Sequence, residues 1–372
     1  MKKIIIFNAS TALYGAERGL LHLIKALHHR FEITVVLPGE GALTEKIRNS
    51  YPSVEIKIFP LAVLVSSLSP LYYITFFLLS LINIFYFSFY IAAKGYDLVL
   101  TNSLILPLPC LSAKCAGKKH IWYVREFFSF GLANKVLSSL ARKFSDRIIC
   151  QSETIKNKLA LGDKAEIVYE PLDDQEHRVY DSSEVRQELG LPIETKIITI
   201  ISRIHPSKGQ YRFLEESLAR LKAEDDLFVL LVGDIRPGSL RSRLYKRRIR
   251  KLIRSNGLAN VRLLGFREDV DKFYSLSDIC VFPFERDEPF GIAVAEALSF
   301  GKLTFFPKRA GLKEVYEIFG MGSDYNVGGV FKAVAAYKNM PSPSPDTFYI
   351  PEILSFNQYA SKLLTLCESR DR

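Results

Sequence analysis

Short apolar segments alternate with longer helical segments along this chain, and the alternation runs twice. The apolar segments are rich in β-branched and aromatic residues, which is typical of buried strands. Such alternation indicates parallel α/β sheets, in which a helix connects one strand to the next. The strand candidates are residues 4–7, 33–36, 54–58, 98–101, 120–124, 147–150 and 167–168 in the first half, and residues 197–202, 228–232, 261–264, 279–282 and 303–306 in the second.

A polar segment separates the two runs of strands. Residues 171–187, PLDDQEHRVYDSSEVRQ, have little apolar content and are typical of an interdomain linker. The 372 residues are enough for two domains with separate cores. The sequence therefore predicts two Rossmann-like, doubly wound α/β domains, residues 1–170 and 191–355, facing across a cleft and joined by a linker over 171–190.

One segment of the first half is unusually apolar. No charged residue occurs from Ile58 to Ala93, and residues 71–93 are long enough to cross a membrane. A spanning helix would put the strands before and after it on opposite sides of the bilayer, so the first sheet could not close. A helix over 70–93 that lies in the membrane interface is therefore favoured over a buried helix, an oligomer contact or a spanning segment.

One segment of the second half is strongly basic. The formal net charge is +10, and residues 241–257, RSRLYKRRIRKLIRSNG, lie in a stretch without acids. A helix here has an apolar face made of Leu244, Ile249, Leu252 and Ile253. Its basic face is either an ordinary solvated surface or a surface that binds anionic lipid headgroups or nucleic acid. The scarcity of aromatic residues for base stacking disfavours nucleic acid.

The cysteines and the N-terminal residues favour a cytoplasmic protein. Five cysteines without a CxxC pair suit a reducing compartment. The apolar run of MKKIIIFNAS is too short for a signal peptide and is better explained as the first strand.

Two carboxylates flank a glycine turn in EPFGIAVAE, residues 288–296. The turn follows a strand candidate and opens a helix, whose first N–H groups suit a phosphate. Glu288 can accept hydrogen bonds from sugar hydroxyls, Glu296 can hold a vicinal diol, and Gly291 permits close backbone approach. An ordinary surface helix with a solvated glutamate explains the spacing equally well.

Two cations follow the strand candidate over 197–202. Arg203 comes directly after it, and Lys208 follows in IHPSKG. Together they can neutralise a diphosphate and stabilise charge that builds on a leaving group, although exposed surface cations are the alternative. Because Glu288 and Glu296 follow a later strand of the same sheet, the four side chains are expected to converge on one crevice.

The first half offers weaker candidates. Gly15 lies in a turn after the first strand, where backbone amides can face the cleft. Arg125 and Glu126 end a strand in IWYVREFF, and they can orient an acceptor or pair with each other.

Other catalytic motifs are absent or weak. Asp269 and Asp271 form a DxD motif that is better explained as the start of a helix than as a metal site. The only adjacent histidines, His28 and His29, lie at a polar helix end. Neither GxSxG nor the P-loop GxxxxGK[ST] occurs, which argues against serine hydrolases and nucleoside triphosphatases. We expect no metal centre.

The ordered motifs resemble the retaining glycosyltransferases of the GT-B fold, family-4 type, also called glycosyl transferases group 1. EPFGIAVAEALSFGK resembles the E-x7-E segment of that family, and SRIHPSKG its G-R-x4-K-G segment, with Ser202 where glycine is usual. YGAERGL, DRIICQSE, GFREDVDKFYSLSDICVFPF and AGLKE match further segments in the expected order. The resemblance covers nearly the whole chain and implies that a final helix, residues 356–372, crosses back to the first domain.

The resemblance also implies residue roles. It assigns Arg203 and Lys208 to the donor diphosphate and Glu288 to the donor sugar, which makes these three the catalytic candidates. The other implied donor-binding residues are Gly15 near the phosphates, Gly265, Phe266 and Arg267 at the base, Phe290 and Gly291 at the sugar, and Glu296 at the ribose. No metal and no cofactor besides the nucleotide-sugar co-substrate is implied.

Two positions depart from the family pattern. Glu170 stands where the family often has asparagine, and residues 124–126 replace the usual acceptor-side histidine. Arg125 and Glu126 are therefore acceptor-side candidates by position alone.

The main hypothesis is a hexosyltransferase of polysaccharide biosynthesis, peripheral on an anionic cytoplasmic membrane face. It would move a sugar from a nucleotide sugar to a lipid-linked or polysaccharide acceptor, with no nucleic-acid partner. Two alternatives remain. One is a glycan phosphorylase, for which no lysine is placed to hold pyridoxal phosphate. The other is a basic protein that binds a membrane surface or nucleic acid through a degenerate cleft.

Overall fold

The computed structural model describes residues 1–12, 15–64, 70–128, 131–172, 177–236, 238–337 and 348–369. The chain forms two compact units, Met1–Pro171 with Phe356–Arg372, and Leu172–Ser355. Each unit contains its own parallel sheet with helices around it. The predicted α/β class with two doubly wound sheets is confirmed.

The first unit is built on a parallel sheet with the strand order β3-β2-β1-β4-β5-β6-β7. Its central strands are buried along their length because both faces of a parallel sheet are covered by helices. The order reverses between β1 and β4, which is the doubly wound topology. The strands are β1 (Lys2–Asn8), β2 (Phe31–Leu37), β3 (Glu55–Ile58), β4 (Leu98–Asn102), β5 (Lys119–Val124), β6 (Arg147–Cys150) and β7 (Ala165–Ile167).

The helices of the first unit cover this sheet, and the last helix of the chain is one of them. Tyr359 and Leu363 of that helix are buried in the same core as Leu20 and Leu23 of the first helix. The helices are α1 (Gly15–Leu27), α2 (Ala42–Ser50), α3 (Pro70–Lys94), α4 (Pro109–Cys115), α5 (Gly131–Phe144), α6 (Glu153–Lys158) and α15 (Phe356–Glu368).

Helix α3 corresponds to the apolar segment and packs on the first unit along one side only. Phe87 and Ile91 are buried against the sheet. Asn83 accepts a hydrogen bond from Ala62 N at 3.0 Å and donates one to Pro60 O at 2.9 Å. The other side of α3 is exposed, with Phe77, Phe85 and other large apolar residues at the surface.

The second unit is built on a parallel sheet with the strand order β10-β9-β8-β11-β12-β13. All five predicted strands of this unit agree with the structure to within one residue at each end. The short edge strand β13 was not predicted. The strands are β8 (Lys196–Ile201), β9 (Leu227–Val232), β10 (Val261–Gly265), β11 (Ile279–Val281), β12 (Leu303–Phe306) and β13 (Ser323–Asp324).

The helices of the second unit precede, connect and follow these strands in the chain. They are α7 (Ser182–Glu188), α8 (Gln210–Glu216), α9 (Leu218–Ala223), α10 (Leu240–Ser255), α11 (Val270–Leu276), α12 (Ile292–Ser299), α13 (Gly311–Phe319) and α14 (Val327–Tyr337), with 3₁₀ turns at Pro206–Lys208 and Glu352–Leu354.

The predicted linker is partly structured and belongs to the second unit. Residues 173–176 of it lie outside the described residues. Asp271 of α11 accepts hydrogen bonds from His177 at 3.0 Å and from Arg178 N at 2.8 Å, and α7 begins at Ser182 with Asp181 as its cap. Side chains of α11 in the second unit therefore hold residues 177, 178 and 180.

The basic helix α10 buries the predicted apolar face, except that Tyr245 takes the place of Leu244. Tyr245 and Ile249 are buried, with Leu252 and Ile253 half-buried, whereas Leu244 is exposed. Positions 245, 249, 252 and 253 follow the spacing of one helical face, and Leu244 lies one residue outside it.

Candidate functional site

Two loops of the second unit meet where the order of its sheet reverses. The loop after β8 carries Arg203 and Lys208, and the loop after β11 carries Glu288. Since β8 and β11 are adjacent strands and their carboxyl ends form the crevice of a doubly wound sheet, this position is where such folds bind ligands. The structure thus places the predicted catalytic candidates on neighbouring loops.

Lys208 and Glu288 form an ion pair between these loops. Lys208 Nζ lies 2.8 Å from Glu288 Oε2, and both side chains are largely buried, with exposed fractions of 13% and 16%. Lys208 Nζ also lies 4.3 Å from the centre of the Phe284 ring. Burial lowers the pKa of Lys208 more than Glu288 raises it, and Arg203 lowers it further.

Arg203 is exposed and lies near this pair. Among the described residues, its side chain makes no hydrogen bond or ion pair. Gln210 fixes the loop instead, since its Nε2 donates to Arg203 O and Ser202 Oγ, both at 2.8 Å. The guanidinium is therefore available to an anionic ligand.

A glycine allows the two loops to approach each other. Gly209 has φ +72°, and a Cβ at this position would lie 1.8 Å from Pro283 O. Glu285 N donates to Ser207 O at 2.9 Å, which ties the loops together next to that contact. The spacing of Lys208 and Glu288 therefore depends on a residue without a side chain at position 209.

Gly209→Ala is expected to destabilise the protein more than Gly190→Ala. Both positions have positive φ, +72° and +58°, so each alanine adds backbone strain of about 1–2 kcal/mol. Only position 209 adds a clash with backbone, because nothing lies within 4 Å of a Cβ at Gly190. Urea unfolding measures the difference, and equal losses in the two variants would show that the loops do not need this close approach.

The turn that opens α12 is also held by glycines. Gly291 has φ +107° and caps the helix, and a Cβ at Gly311 would lie 2.2 Å from Pro289 O. Gly311 N donates to Glu288 O at 3.1 Å. Phe290 is buried, so only its backbone can contact a ligand. The first N–H groups of an α-helix have no partner inside the helix, which makes this turn suitable for hydroxyl or phosphate oxygens.

Glu296 lies one helical turn further along α12. Its side chain is buried, and its Oε2 accepts a hydrogen bond from Tyr274 at 2.7 Å. The same hydroxyl lies 3.1 Å from Ala293 O, so Tyr274 contacts both the carboxylate and the helix backbone. The sequence did not reveal this partner, because Tyr274 lies on α11.

The residues predicted to line a base pocket follow β10. Gly265, with φ +75°, ends the strand and accepts a hydrogen bond from Gly233 N at 2.7 Å. Phe266 is half exposed, so its ring is accessible to a planar ligand. Arg267 forms a two-point ion pair with Asp269 at 2.6 and 2.8 Å.

The DxD motif is engaged in contacts within the protein. Asp269 pairs with Arg267, and Asp271 accepts hydrogen bonds from His177 and Arg178. Asp269 precedes α11, as predicted, but its side chain makes no capping hydrogen bond. The two carboxylates therefore stabilise the start of α11 and hold the segment before α7 against it.

In the first unit, Arg125 lies in a buried polar network at the carboxyl ends of the strands. It donates to both Glu170 and Asn102, and Asn102 donates to Asn8. His22 Nδ1 lies 2.7 Å from the other oxygen of Glu170. Burial opposes the charge of Glu170, but Arg125 and His22 outweigh it and hold its pKa below the usual value.

The expected alternative in which Arg125 and Glu126 pair with each other is wrong. Glu126 instead accepts hydrogen bonds from Ser103 Oγ and from Leu104 N, the latter at 2.8 Å. Burial raises the pKa of Glu126 despite these bonds. The two family departures, Arg125 and Glu170, thus form one buried ion pair.

Gly15 is the first residue of α1, and the preceding residues 13–14 lie outside the described residues. Another glycine of the same segment has a clear packing role. A Cβ at Gly19 would lie 1.8 Å from the Arg125 guanidinium, and Gly19 O accepts a hydrogen bond from Arg125 at 3.0 Å.

Sequence reasoning missed His205 and Phe284. Burial first, and then four cations led by Arg203 and Arg241, lower the pKa of His205 to about 4. The sequence signal was the accumulation of arginines and lysines on the loops after β8 and β11 and at the start of α10. The end of β8 is therefore strongly electropositive.

Comparison with known families covers most of the chain. Residues 14–176 match the family described as Glycosyltransferase Family 4, and residues 181–322 match the family described as Glycosyl transferases group 1. Comparison with curated protein sequences gives no match.

Solved structures with the same fold are numerous and distant in sequence. HepE of Anabaena, solved with UDP and glucose, is 20% identical with a TM-score of 0.79, covering 100% of both chains. The sucrose-phosphate synthase of Thermosynechococcus elongatus is 16% identical with a TM-score of 0.72, covering 99% of this chain and 95% of its own. WaaG, a glycosyltransferase of lipopolysaccharide biosynthesis, is 12% identical with a TM-score of 0.64, covering 99% and 96%. The fold is that of the GT-B proteins, as expected.

Proposed function

Since the chain belongs to the group 1, family-4 glycosyltransferases, we propose that it transfers a hexosyl unit from a nucleoside-diphosphate sugar to a lipid-linked or polysaccharide acceptor with retention of configuration. The observation that carries this proposal is the Lys208–Glu288 pair, with Arg203 beside it, at the carboxyl ends of β8 and β11.

The charges of the site suit a diphosphate leaving group. The ammonium of Lys208 is held in place by Glu288, so it need not be reorganised when a donor binds. Arg203 adds a guanidinium that can bind phosphate with two hydrogen bonds. Such prearranged positive charge stabilises the negative charge that develops on the diphosphate during bond cleavage.

The carboxylates then serve as acceptors for hydroxyl groups. Glu288 has a second oxygen besides the one bound to Lys208, and it can accept from the donor sugar. Glu296 accepts from Tyr274, and its carboxylate is proposed to hold the ribose hydroxyls. Phe266 offers its exposed ring to the base.

In the proposed reaction, the bond between the anomeric carbon and the diphosphate oxygen breaks, and a bond from the acceptor oxygen to the same face of that carbon forms. The proton of the acceptor hydroxyl passes to the departing diphosphate. This route requires no protein nucleophile, which agrees with the engagement of Glu288 by Lys208.

Catalysis of this kind requires no metal ion or other cofactor. Among the described residues, no group of three or more His, Cys, Asp or Glu side chains is placed to hold a metal. The positive charge that a divalent cation supplies to a diphosphate elsewhere is supplied here by Lys208 and Arg203.

A thermal-shift panel tests the donor assignment. UDP is the first candidate, because the structurally similar HepE was solved with UDP, and GDP and ADP follow. A ligand at 100 times its Kd stabilises the native state by about 2.7 kcal/mol. One nucleotide is expected to raise Tm in the wild type and to do so much less in Arg203→Ala. No shift with any of the three would reject the donor site.

The acceptor end of the reaction is proposed to lie at a membrane surface. Helix α3 exposes large apolar side chains along one side, including Phe77, Phe85 and Phe89 with 62%, 74% and 76% of their surface accessible. The opposite side is fixed by Asn83 to the segment after β3 and by Phe87 to the sheet. A helix anchored on one side and apolar on the other is suited to lie in the interface rather than to span a bilayer.

Phe85→Glu/Phe89→Glu is expected to abolish sedimentation with phosphatidylglycerol-containing vesicles. Each buried phenylalanine contributes about 1.5–3 kcal/mol to partitioning, and a carboxylate opposes insertion. The matched control is Leu132→Glu/Val136→Glu on α5 of the same unit, whose side chains are 76% and 52% exposed. If both double variants still bind vesicles, α3 is not the contact surface.

A further inference from the structure

The second unit contains a cavity of about 400 Å³ beside the donor loops. It lies between the starts of α8 and α10, and its wall includes Pro206. The side chains that give the cavity its character are Tyr211, Arg212, Arg241, Tyr245, Arg248 and Glu285. Lys208, Glu288 and Glu296 do not line it, so it is separate from the site described above.

Two of the three arginines are not neutralised within the protein. Among the described residues, neither Arg241 nor Arg248 forms an ion pair or hydrogen bond through its side chain. Arg248 instead lies 4.9 Å from the centre of the Tyr211 ring, which orients its guanidinium. Arg212, which also lines the cavity, pairs with Glu216 at 2.7 Å. The cavity therefore presents a net positive charge to a ligand.

The remaining walls suit a saccharide. Tyr211 presents an aromatic side chain, and Tyr245 is fixed by accepting a hydrogen bond from Tyr211 N at 2.9 Å. Glu285 is exposed, and among the described residues its carboxylate has no hydrogen-bond partner, so it can accept hydrogen bonds from hydroxyl groups. The volume lies within the range of small-molecule sites, about 300–1,000 Å³.

We propose that this cavity is a second ligand site that binds an anionic saccharide, with Arg241 and Arg248 on its phosphate or carboxylate and Glu285 on its hydroxyls. Guanidinium groups bind both anions with paired hydrogen bonds. The ligand is either a free hexose phosphate or a charged residue within an acceptor glycan. Ligand binding in this cavity does not require that the site at Lys208 and Glu288 binds a nucleotide sugar.

Titration calorimetry with glucose 6-phosphate, a hyaluronan tetrasaccharide and glucose tests the site. One of the two anions is expected to bind at least about tenfold more tightly than glucose, since that factor corresponds to only about 1.4 kcal/mol of charge-assisted hydrogen bonding. The tighter anion identifies the source of the ligand. Arg241→Ala/Arg248→Ala should abolish this preference.

The matched control is Arg243→Ala/Arg247→Ala, which removes two exposed charges from the same helix outside the cavity. It should keep the affinity, and so should Lys208→Ala, which affects only the donor loops. Loss of binding in Lys208→Ala would place the ligand in the donor site and overturn the proposal. Undiminished binding by Arg241→Ala/Arg248→Ala, or glucose binding as tightly as both anions, would overturn it as well.

Discussion

Lys208→Ala is expected to lower kcat about 10²- to 10³-fold, the usual effect of removing one prearranged charge donor from a transition state. The loss should appear in kcat, because the ammonium contributes most when charge develops on the departing diphosphate. Lys208 lies 2.8 Å from Glu288 and is largely buried, so no neighbouring cation can replace it without movement of the loops. Steady-state kinetics with the preferred nucleotide sugar measure the effect.

Controls separate this effect from loss of structure. Lys222→Ala removes an exposed lysine of the same unit and should leave kcat unchanged. Because Lys208→Ala also leaves Glu288 without its partner, urea unfolding must show that the variant is folded, and Lys208→Ala/Glu288→Gln removes the unpaired charge if it is not. If either folded variant retains wild-type kcat, Lys208 has no catalytic role.

Arg125→Ala is expected to cost about 3–5 kcal/mol of unfolding free energy, because it leaves the Glu170 carboxylate buried without its cation. Both side chains are almost fully buried, with exposed fractions of 6% and 4%. The guanidinium also holds Asn102 and Gly19 O, so the carboxyl ends of β4 and β5 and helix α1 lose a shared partner. Urea unfolding monitored by far-UV circular dichroism measures the loss.

A double variant and an exposed pair test the explanation. Arg125→Met/Glu170→Gln removes both charges and should recover most of the stability, since replacing a buried ion pair as a whole is often nearly neutral. Arg147→Ala breaks an exposed pair with Glu166 in the same unit and should cost less than about 1 kcal/mol. A loss of similar size in Arg147→Ala and Arg125→Ala would mean that burial does not determine the effect.

The strands were predictable because a parallel sheet buries both faces and leaves a local signature. Short continuous apolar runs rich in β-branched residues, such as residues 4–7 and 228–232, are typical of strands that are buried on both faces. Strand β13 has only Ser323 and Asp324, so no apolar run marks it. Helix α7 was missed because its residues are mostly polar and only Val185 and Arg186 are buried.

The Arg125–Glu170 pair could not be read from local sequence. The partners are 45 residues apart in sequence. They meet because β5 and β7 are parallel and end at the same edge of the sheet, and Arg125 and Glu170 follow these two ends. The neighbouring residue Glu126 was the nearer candidate in sequence. In extended backbone, however, consecutive side chains point to opposite faces, so Arg125 and Glu126 face different surroundings.

The donor loops were easier to predict, because parallel strands deliver their following residues to one edge. Arg203 and Lys208 follow β8 and Glu288 follows β11, and the two strands are neighbours. The sequence could not show that Lys208 already pairs with Glu288, nor that Gly209 lies against Pro283. Such contacts depend on loop conformation, which has no periodic signal in the sequence.

Turnover of nucleotide sugars tests the central claim most directly. The protein is incubated with UDP-, GDP- and ADP-hexoses and phosphatidylglycerol vesicles that carry lipid-linked glycan, and release of the nucleoside diphosphate is followed. One donor is expected to be consumed, the transferred sugar should keep its anomeric configuration as measured by NMR, and Lys208→Ala should be nearly inactive. Absence of turnover and of thermal protection with every donor, in protein shown to be folded, would contradict the claim.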